Sequence, residues 1–219
     1  MCGRFVVLTA DELRDVVDAV EGRAAARALR ADAARGEAFP GSSVTAIRRA
    51  GEKLAVDGLH WGFPAEWSKG TVFNTRLESA LADSPMWRDA IREGRCIIPA
   101  AAFYEPHRTE KATSPRTGKP IKRPYLFHDK NGMPLLFAGV ASQGNCSIVT
   151  CEPNRWVAPV HPRMPLALRF EEVPLWLEGG LPDLGRLADR SGIELTSSPE
   201  LELANSESDN PEPDQLMLF

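Results

Sequence analysis

The sequence predicts an α+β fold: one compact domain on a curved, largely antiparallel, barrel-like sheet with flanking helices. Three observations predict it. Strand-like runs outnumber helical ones along the 219 residues. The two kinds do not alternate regularly, which argues against a parallel βαβ winding. Hydrophobic residues make up 43% and charged residues 26%, an ordinary globular balance in a chain long enough to bury roughly 70% of its unfolded surface without staples.

Cys2–Leu8 reads as a short strand. Thr9-Ala10-Asp11-Glu12 is a capping box, and Leu13, Val16, Val17 and Val20 follow at helical spacing. The helix is expected from residue 10 through the Ala/Arg-rich stretch to about Arg35, with Gly22 its weak point. Gly36–Ser43 reads as a loop, and Val44–Arg49 with Lys53–Leu59 as paired strands around Ala50-Gly51-Glu52. His60–Gly70 is an aromatic loop, and Pro85–Glu93 a helix. Arg95–Glu105 is a strand with an apolar middle, and Pro106–Pro120 a basic, Pro/Gly-containing loop with Arg108, Lys111, Arg116 and Lys119. Tyr125–His128, Leu135–Val140, Ser147–Cys151 and Ile193–Ser197 are further strands. Glu171–Glu178 and Asp183–Arg190 are short helices. The expected organisation is a folded domain over 2–204 and a disordered acidic tail over 205–219.

The net charge is −4. The tail holds Glu207, Asp209, Glu212 and Asp214 without a base, which leaves 1–204 neutral. Bulk charge therefore gives no support for nucleic-acid binding; a local patch must carry it. No apolar run approaches the ~18 residues of a membrane helix, and no signal peptide is read at the start. The chain is expected to be cytoplasmic, with its cysteines reduced. Cys96, Cys146 and Cys151 lack zinc-site spacing, so neither metal nor cofactor is expected.

Cys2 is the sharpest feature. With Met1 removed it carries an α-amine (pKa about 7.7–8.0) beside a thiol (about 8.5). This 1,2-aminothiol condenses with aldehydes, first as an imine and then as a five-membered thiazolidine. It also serves as an N-terminal nucleophile in amide cleavage; the plain alternative is a small residue that follows Met. His161 in His161-Pro162-Arg163-Met164-Pro165 titrates near neutrality and can move protons, or it is a structural donor in a Pro-rich corner. Glu105 ends an apolar strand, where a carboxyl has a raised pKa or simply meets solvent. Asn74 and Arg76 sit two apart, an amide and a guanidinium suited to a sugar-phosphate, or a turn residue and a surface base. Trp61, Phe63 and Trp67 could stack on unpaired bases, with at least one of them expected in the core. Arg4, Arg76, Arg95 and Arg163 would hold phosphates if the fold brings them together.

The ordered set resembles one family. Cys2-Gly3-Arg4-Phe5, Trp61-Gly62-Phe63-Pro64 with Trp67, Asn74-Thr75-Arg76, Arg95-Cys96-Ile97-Ile98-Pro99-Ala100 leading to Phe103-Tyr104-Glu105, and His161-Pro162-Arg163-Met164-Pro165 together resemble the SOS-response-associated peptidase family, from Cys2 to about Leu195. The resemblance implies a sensor of abasic sites in single-stranded DNA, crosslinked to the opened sugar through Cys2. It implies that Asn74 holds the sugar, Glu105 assists imine formation and His161 acts on the sugar hydroxyl and in reversal. It further implies DNA contacts from Arg4, Trp67, Arg76, Arg163 and Met164. Phe39–Ser42, Pro106 and Ala141 depart from the family pattern and imply a rebuilt stacking surface.

The ending Gln215-Leu216-Met217-Leu218-Phe219 resembles the short peptides by which bacterial repair proteins dock on the replication sliding clamp. Gln215, Leu216, Leu218 and Phe219 would make the contacts and bring the protein to the nucleoid or replication fork. Two other readings compete: an N-terminal-nucleophile cysteine hydrolase acting on amides, and a non-catalytic clamp-associated adaptor.

Overall fold

The computed structural model describes residues 2–65 and 70–200. The strand expected over Cys2–Leu8 is short: β1 is Phe5–Val6. Helix α1 (Ala10–Val20) begins as the capping box requires, Thr9 Oγ1 accepting the Glu12 N–H and the Glu12 carboxylate accepting the Thr9 N–H. It stops fifteen residues before the expected Arg35, because Gly22 turns the chain at φ +71°. The stretch beyond folds back instead: the Arg35 guanidinium pairs with buried Glu12, and the Arg30 N–H donates to the same carboxylate at 3.2 Å. A buried carboxylate that needs donors outweighs alanine's helix propensity here.

Strand β2 (Glu37–Ala38) lies within the loop expected over Gly36–Ser43 and pairs with β1. β3 (Ser43–Ala50) and β4 (Lys53–Trp61) form the expected hairpin. β5 (Phe63–Pro64) pairs with β6 (Thr71–Val72), so part of the aromatic loop is strand. β7 (Asn74–Arg76), α2 (Leu77–Leu81) and α3 (Arg88–Glu93) follow. The single strand expected over Arg95–Glu105 divides at Ala101 into β8 (Arg95–Ala100) and β9 (Ala102–Thr113). The basic loop expected over Pro106–Pro120 is a correction: β9 runs on to Thr113 and pairs with β10 (Pro120–Asp129) in a long hairpin. Its outer half has no buried face, so no alternation marked it as strand. β11 (Leu135–Ser142), β12 (Asn145–Cys151), β13 (Met164–Pro165) and β14 (Ala167–Leu168) precede α4 (Val173–Glu178), α5 (Leu181–Leu184) and β15 (Leu195–Pro199).

The barrel-like sheet is present. β12, β4, β3, β8 and β11 pair in turn, and β11 pairs back onto β12, closing the ring. β4 and β7 both pair with β12 in parallel; the other pairings are antiparallel. A second sheet runs β15-β10-β9-β1-β2. Aromatic rings join the two: Phe103 stacks on Phe127 at 5.1 Å and meets Phe137 edge-on at 5.8 Å, while Phe5 packs against Trp61 at 5.0 Å. Trp61 is fully buried in the core, with Nε1 donating to the Phe73 carbonyl. Phe63 packs edge-on against Trp87 at 5.4 Å.

Candidate active site

Residues 2–4 extend β1 along β9. The Tyr104 N–H donates to the Arg4 carbonyl at 2.9 Å, and this pairing directs the chain start toward Glu105, the next residue of β9. Cys2 is fully buried. Its Sγ lies 3.7 Å from the Arg4 carbonyl. Burial pushes its thiol well above the ordinary range, and the nearby Glu105 charge adds to the rise.

Asn74 comes from β7, held by parallel pairing of Asn74 with Ile148. Its Nδ2 donates to the Cys2 carbonyl at 2.8 Å. Its Oδ1 is buried with no hydrogen-bond partner among the described residues. An orphaned buried acceptor is costly, and here it stands on the side chain that holds buried Cys2.

Glu105 is fully buried, and burial pushes its carboxyl up to about 7, against the pull of positive charge at the start of the chain. His161 enters from the loop after β12, with Nδ1 3.4 Å from Glu105 Oε2. Nδ1 also lies 2.9 Å from the Arg163 carbonyl and 3.2 Å from the Arg163 N–H. One nitrogen cannot serve both; the shorter contact makes Nδ1–H the donor to the carbonyl and leaves Nε2 the proton acceptor. Burial lowers the His161 pKa, so the ring is neutral at pH 7. The site thus holds one proton acceptor, His161 Nε2, and one carboxyl that titrates near 7 and can give or take a proton.

Cys2, Asn74, Glu105 and His161 are thus brought together. The arginines do not all join them. Arg4 is buried in a two-point pair with Glu37, both contacts 2.7 Å, with its guanidinium 3.9 Å from the Tyr104 ring centroid. Arg163 forks onto Glu78 at 2.5 and 3.0 Å and donates to the Thr150 carbonyl at 2.8 Å. Because Glu78 opens α2 directly after β7, this pair ties the His161 loop to the Asn74 strand. Arg76 is exposed. Arg95 lies apart, lining a cavity of about 490 Å³ with Arg48, Arg49 and Arg92.

Met164 is a correction. It is fully buried, paired with Cys151 across β13 and β12, and its Sδ accepts the Asn154 N–H. It packs the core and offers DNA no surface. Trp67, Gln215, Leu216, Leu218 and Phe219 lie outside the described residues. Glu37 and Glu78 were missed by sequence reasoning; each is an ordinary acid whose partner is distant in sequence, and no local signal marks it. Among the described residues no cluster of three His, Cys, Asp or Glu side chains could hold a metal, and the four cysteines are free and buried.

The family model for SOS response associated peptidase (SRAP) matches residues 1–197. The abasic site processing protein YoaM of Bacillus subtilis is 28% identical over 197 residues, covering 81% of this chain and 79% of that protein. YoqW of the same bacterium is 30% identical over 152 residues, 63% of this chain and 64% of that one. A phage-related protein of Bordetella bronchiseptica superposes with a TM-score of 0.68 at 25% identity, covering 91% of this chain and 94% of that one. A Bacteroides thetaiotaomicron protein at 18% identity and TM-score 0.60 shares the fold. A match over residues 1–197, on a chain whose Cys2, Asn74, Glu105 and His161 meet in one buried site, means that this protein belongs to the SOS response associated peptidase family.

Proposed function

We propose that this protein processes abasic sites in single-stranded DNA by capturing the opened sugar covalently on Cys2. The names of its Bacillus relatives support the substrate. The observation that carries the chemistry is Asn74, which grips the Cys2 carbonyl while its buried Oδ1 lacks a partner among the described residues. That acceptor suits a sugar hydroxyl.

The steps follow from the side chains. Once Met1 is cleaved, the Cys2 amine is freed. Glu105 in its ionised form takes a proton from the ammonium, and the amine attacks the C1 aldehyde. Glu105, now protonated, gives its proton to the carbinolamine hydroxyl, which leaves as water and yields the protonated imine, with Glu105 ionised again. The Cys2 thiol is held neutral by burial; its sulfur adds to the carbon of the protonated imine as the thiol proton passes to the Glu105 carboxylate. Aldehyde and aminothiol have become thiazolidine and water. Neutral His161 accepts the C1 hydroxyl proton at Nε2 as the ring C–O bond breaks and passes it to the freed ring oxygen, and the same transfer runs backwards when the ring recloses in reversal. Exposed Arg76 contacts phosphate. Arg4 and Arg163, committed to Glu37 and Glu78, shape the site and lend positive charge beside it.

The test is a denaturing gel. Processed protein mixed with a single-stranded oligonucleotide bearing one abasic site is expected to shift, whereas Cys2→Ala and the intact oligonucleotide are not. An unchanged shift with Cys2→Ala overturns the role of Cys2. The tail over 205–219 extends the proposal as a tether to the sliding clamp through Gln215, Leu216, Leu218 and Phe219, supported by the motif and the acidic linker before it. Displacement of a clamp ligand by the free peptide Asp214–Phe219 tests it, and no displacement overturns it.

A further inference from the structure

The outer half of the β9–β10 hairpin stands apart in charge. Residues 106–124 hold Arg108, Lys111, Arg116, Lys119, Lys122 and Arg123 against one acid, Glu110. Against a chain total of −4, everything outside this segment sums to −9. Glu110 is shared among His107 at 3.5 Å, Arg123 at 3.4 Å and the Tyr125 hydroxyl at 3.0 Å. Lys111, Arg116, Lys119 and Lys122 form no ion pair among the described residues.

The register sharpens this. Lys111 sits directly opposite Lys122 across the two strands. Like charges in that position weaken a strand pair, so the fold gains nothing from either. Between 108 and 120 Ser114 is the one buried residue. The segment contains no Phe, Trp, Tyr, Leu, Val or Met. Its one ring, His107, packs on Tyr125 at 5.6 Å, and its one large aliphatic side chain is Ile121, so it has no run of rings to stack on bases and no apolar face to enter a membrane or a protein groove. What it offers is charge on a stiff two-stranded ribbon.

The ribbon is rooted at the site. β9 runs from Glu105 straight into it, and the Arg108 N–H donates to the Val160 carbonyl, one residue before His161. The charges of Lys122 and Arg108 reach the His161 ring and, after burial, help to lower its pKa. β9 bulges between Pro106 and Lys111, so the partners of Glu105 and Lys111 on β10, Tyr125 and Lys122, are three residues apart; at about 3.4 Å per residue Lys111 stands roughly 10 Å along the sheet from Glu105.

We propose that the ribbon over residues 106–124 is an arm that binds the phosphate backbone of the DNA strand flanking the captured site. This rests on the proposed capture of single-stranded DNA. The arm contacts phosphates only, so it adds affinity and register without sequence preference.

The test is fluorescence anisotropy with the full chain and a labelled intact single strand of roughly twenty nucleotides, titrated across a salt series. Two double variants are compared with wild type: Lys111→Ala with Lys122→Ala, and Arg116→Ala with Lys119→Ala at the tip. Each pair is expected to weaken binding several-fold at low salt and to lower the slope of log affinity against log salt by about 1.4, at ~0.7 per single-strand phosphate. An unchanged slope for both pairs overturns the arm. The readout is non-covalent. Failure of the gel shift with the slopes reduced would sink the Cys2 chemistry and leave the arm in place.

Discussion

Glu105 sits at the end of an apolar run with its carboxyl out of water, and burial lifts it to about 7. Two consequences follow at the level of this side chain. The first is kinetic: near neutrality Glu105 is divided between acid and base forms, so the rate of adduct formation should turn over near pH 7, and Glu105→Gln should be slower and lose that turn. Single-turnover gels across pH 5–9 check it. The second concerns stability. A carboxyl whose pKa is raised on folding favours the folded state when protonated; that contribution is full below the ordinary value of 4.5 and declines as pH rises to about 7. The loss is at most about 3 kcal/mol. Thermal melts should therefore show Glu105→Gln gaining on wild type between pH 5 and pH 8. Residues of this kind were legible in the sequence because their types carry chemistry: Cys2, Asn74, Glu105 and His161 each announce a reaction role. Arg4 and Arg163 announced only charge. Whether a guanidinium meets a phosphate or a carboxylate depends on Glu37 and Glu78, which the fold supplies from distant elements.

Helix α1 shows how one carboxylate organises a whole element. Burial opposes the charge of Glu12, yet hydrogen bonds from Arg35 and Thr9 prevail and hold its carboxyl at about 2. Glu12 thereby fastens the helix start to the segment that returns through Arg30 and Arg35. A carboxyl depressed on folding contributes stability above pH 4.5 and loses it as pH falls through about 2. Glu12→Gln is expected to cost up to about 3 kcal/mol at pH 7, with the difference from wild type shrinking toward pH 2; urea denaturation at both pH values measures it. The start of α1 was readable because a capping box is local. Its end was not, since composition favoured helix and only a tertiary contact decided otherwise. The β9–β10 ribbon failed for the converse reason. Strand pairing made it, while its exposed polar surface offered no period to read.

The closed ring joins distant parts of the chain: β4 meets β12, and β1 meets β9. Phe5, Trp61, Phe103 and Phe137 knit the ring to the second sheet, so neither sheet has a core of its own. Far-ultraviolet dichroism and tryptophan fluorescence should melt together, and two separated transitions would show the sheets to be independent units. The α+β class was legible from the order of elements, whereas the ring closure depends on pairings between strands too far apart for any pattern to reveal. The same wiring sets a clock during synthesis. Cys2 emerges from the ribosome early, but its seat between Asn74, Glu105 and His161 does not exist until β9 and the later loop have been made. At 5–20 residues per second the wait for Glu105 alone is roughly 5–20 s. Throughout that interval the peptide bond before Cys2 lies open to cleavage, and trimming can finish before the fold closes over the amine it exposes.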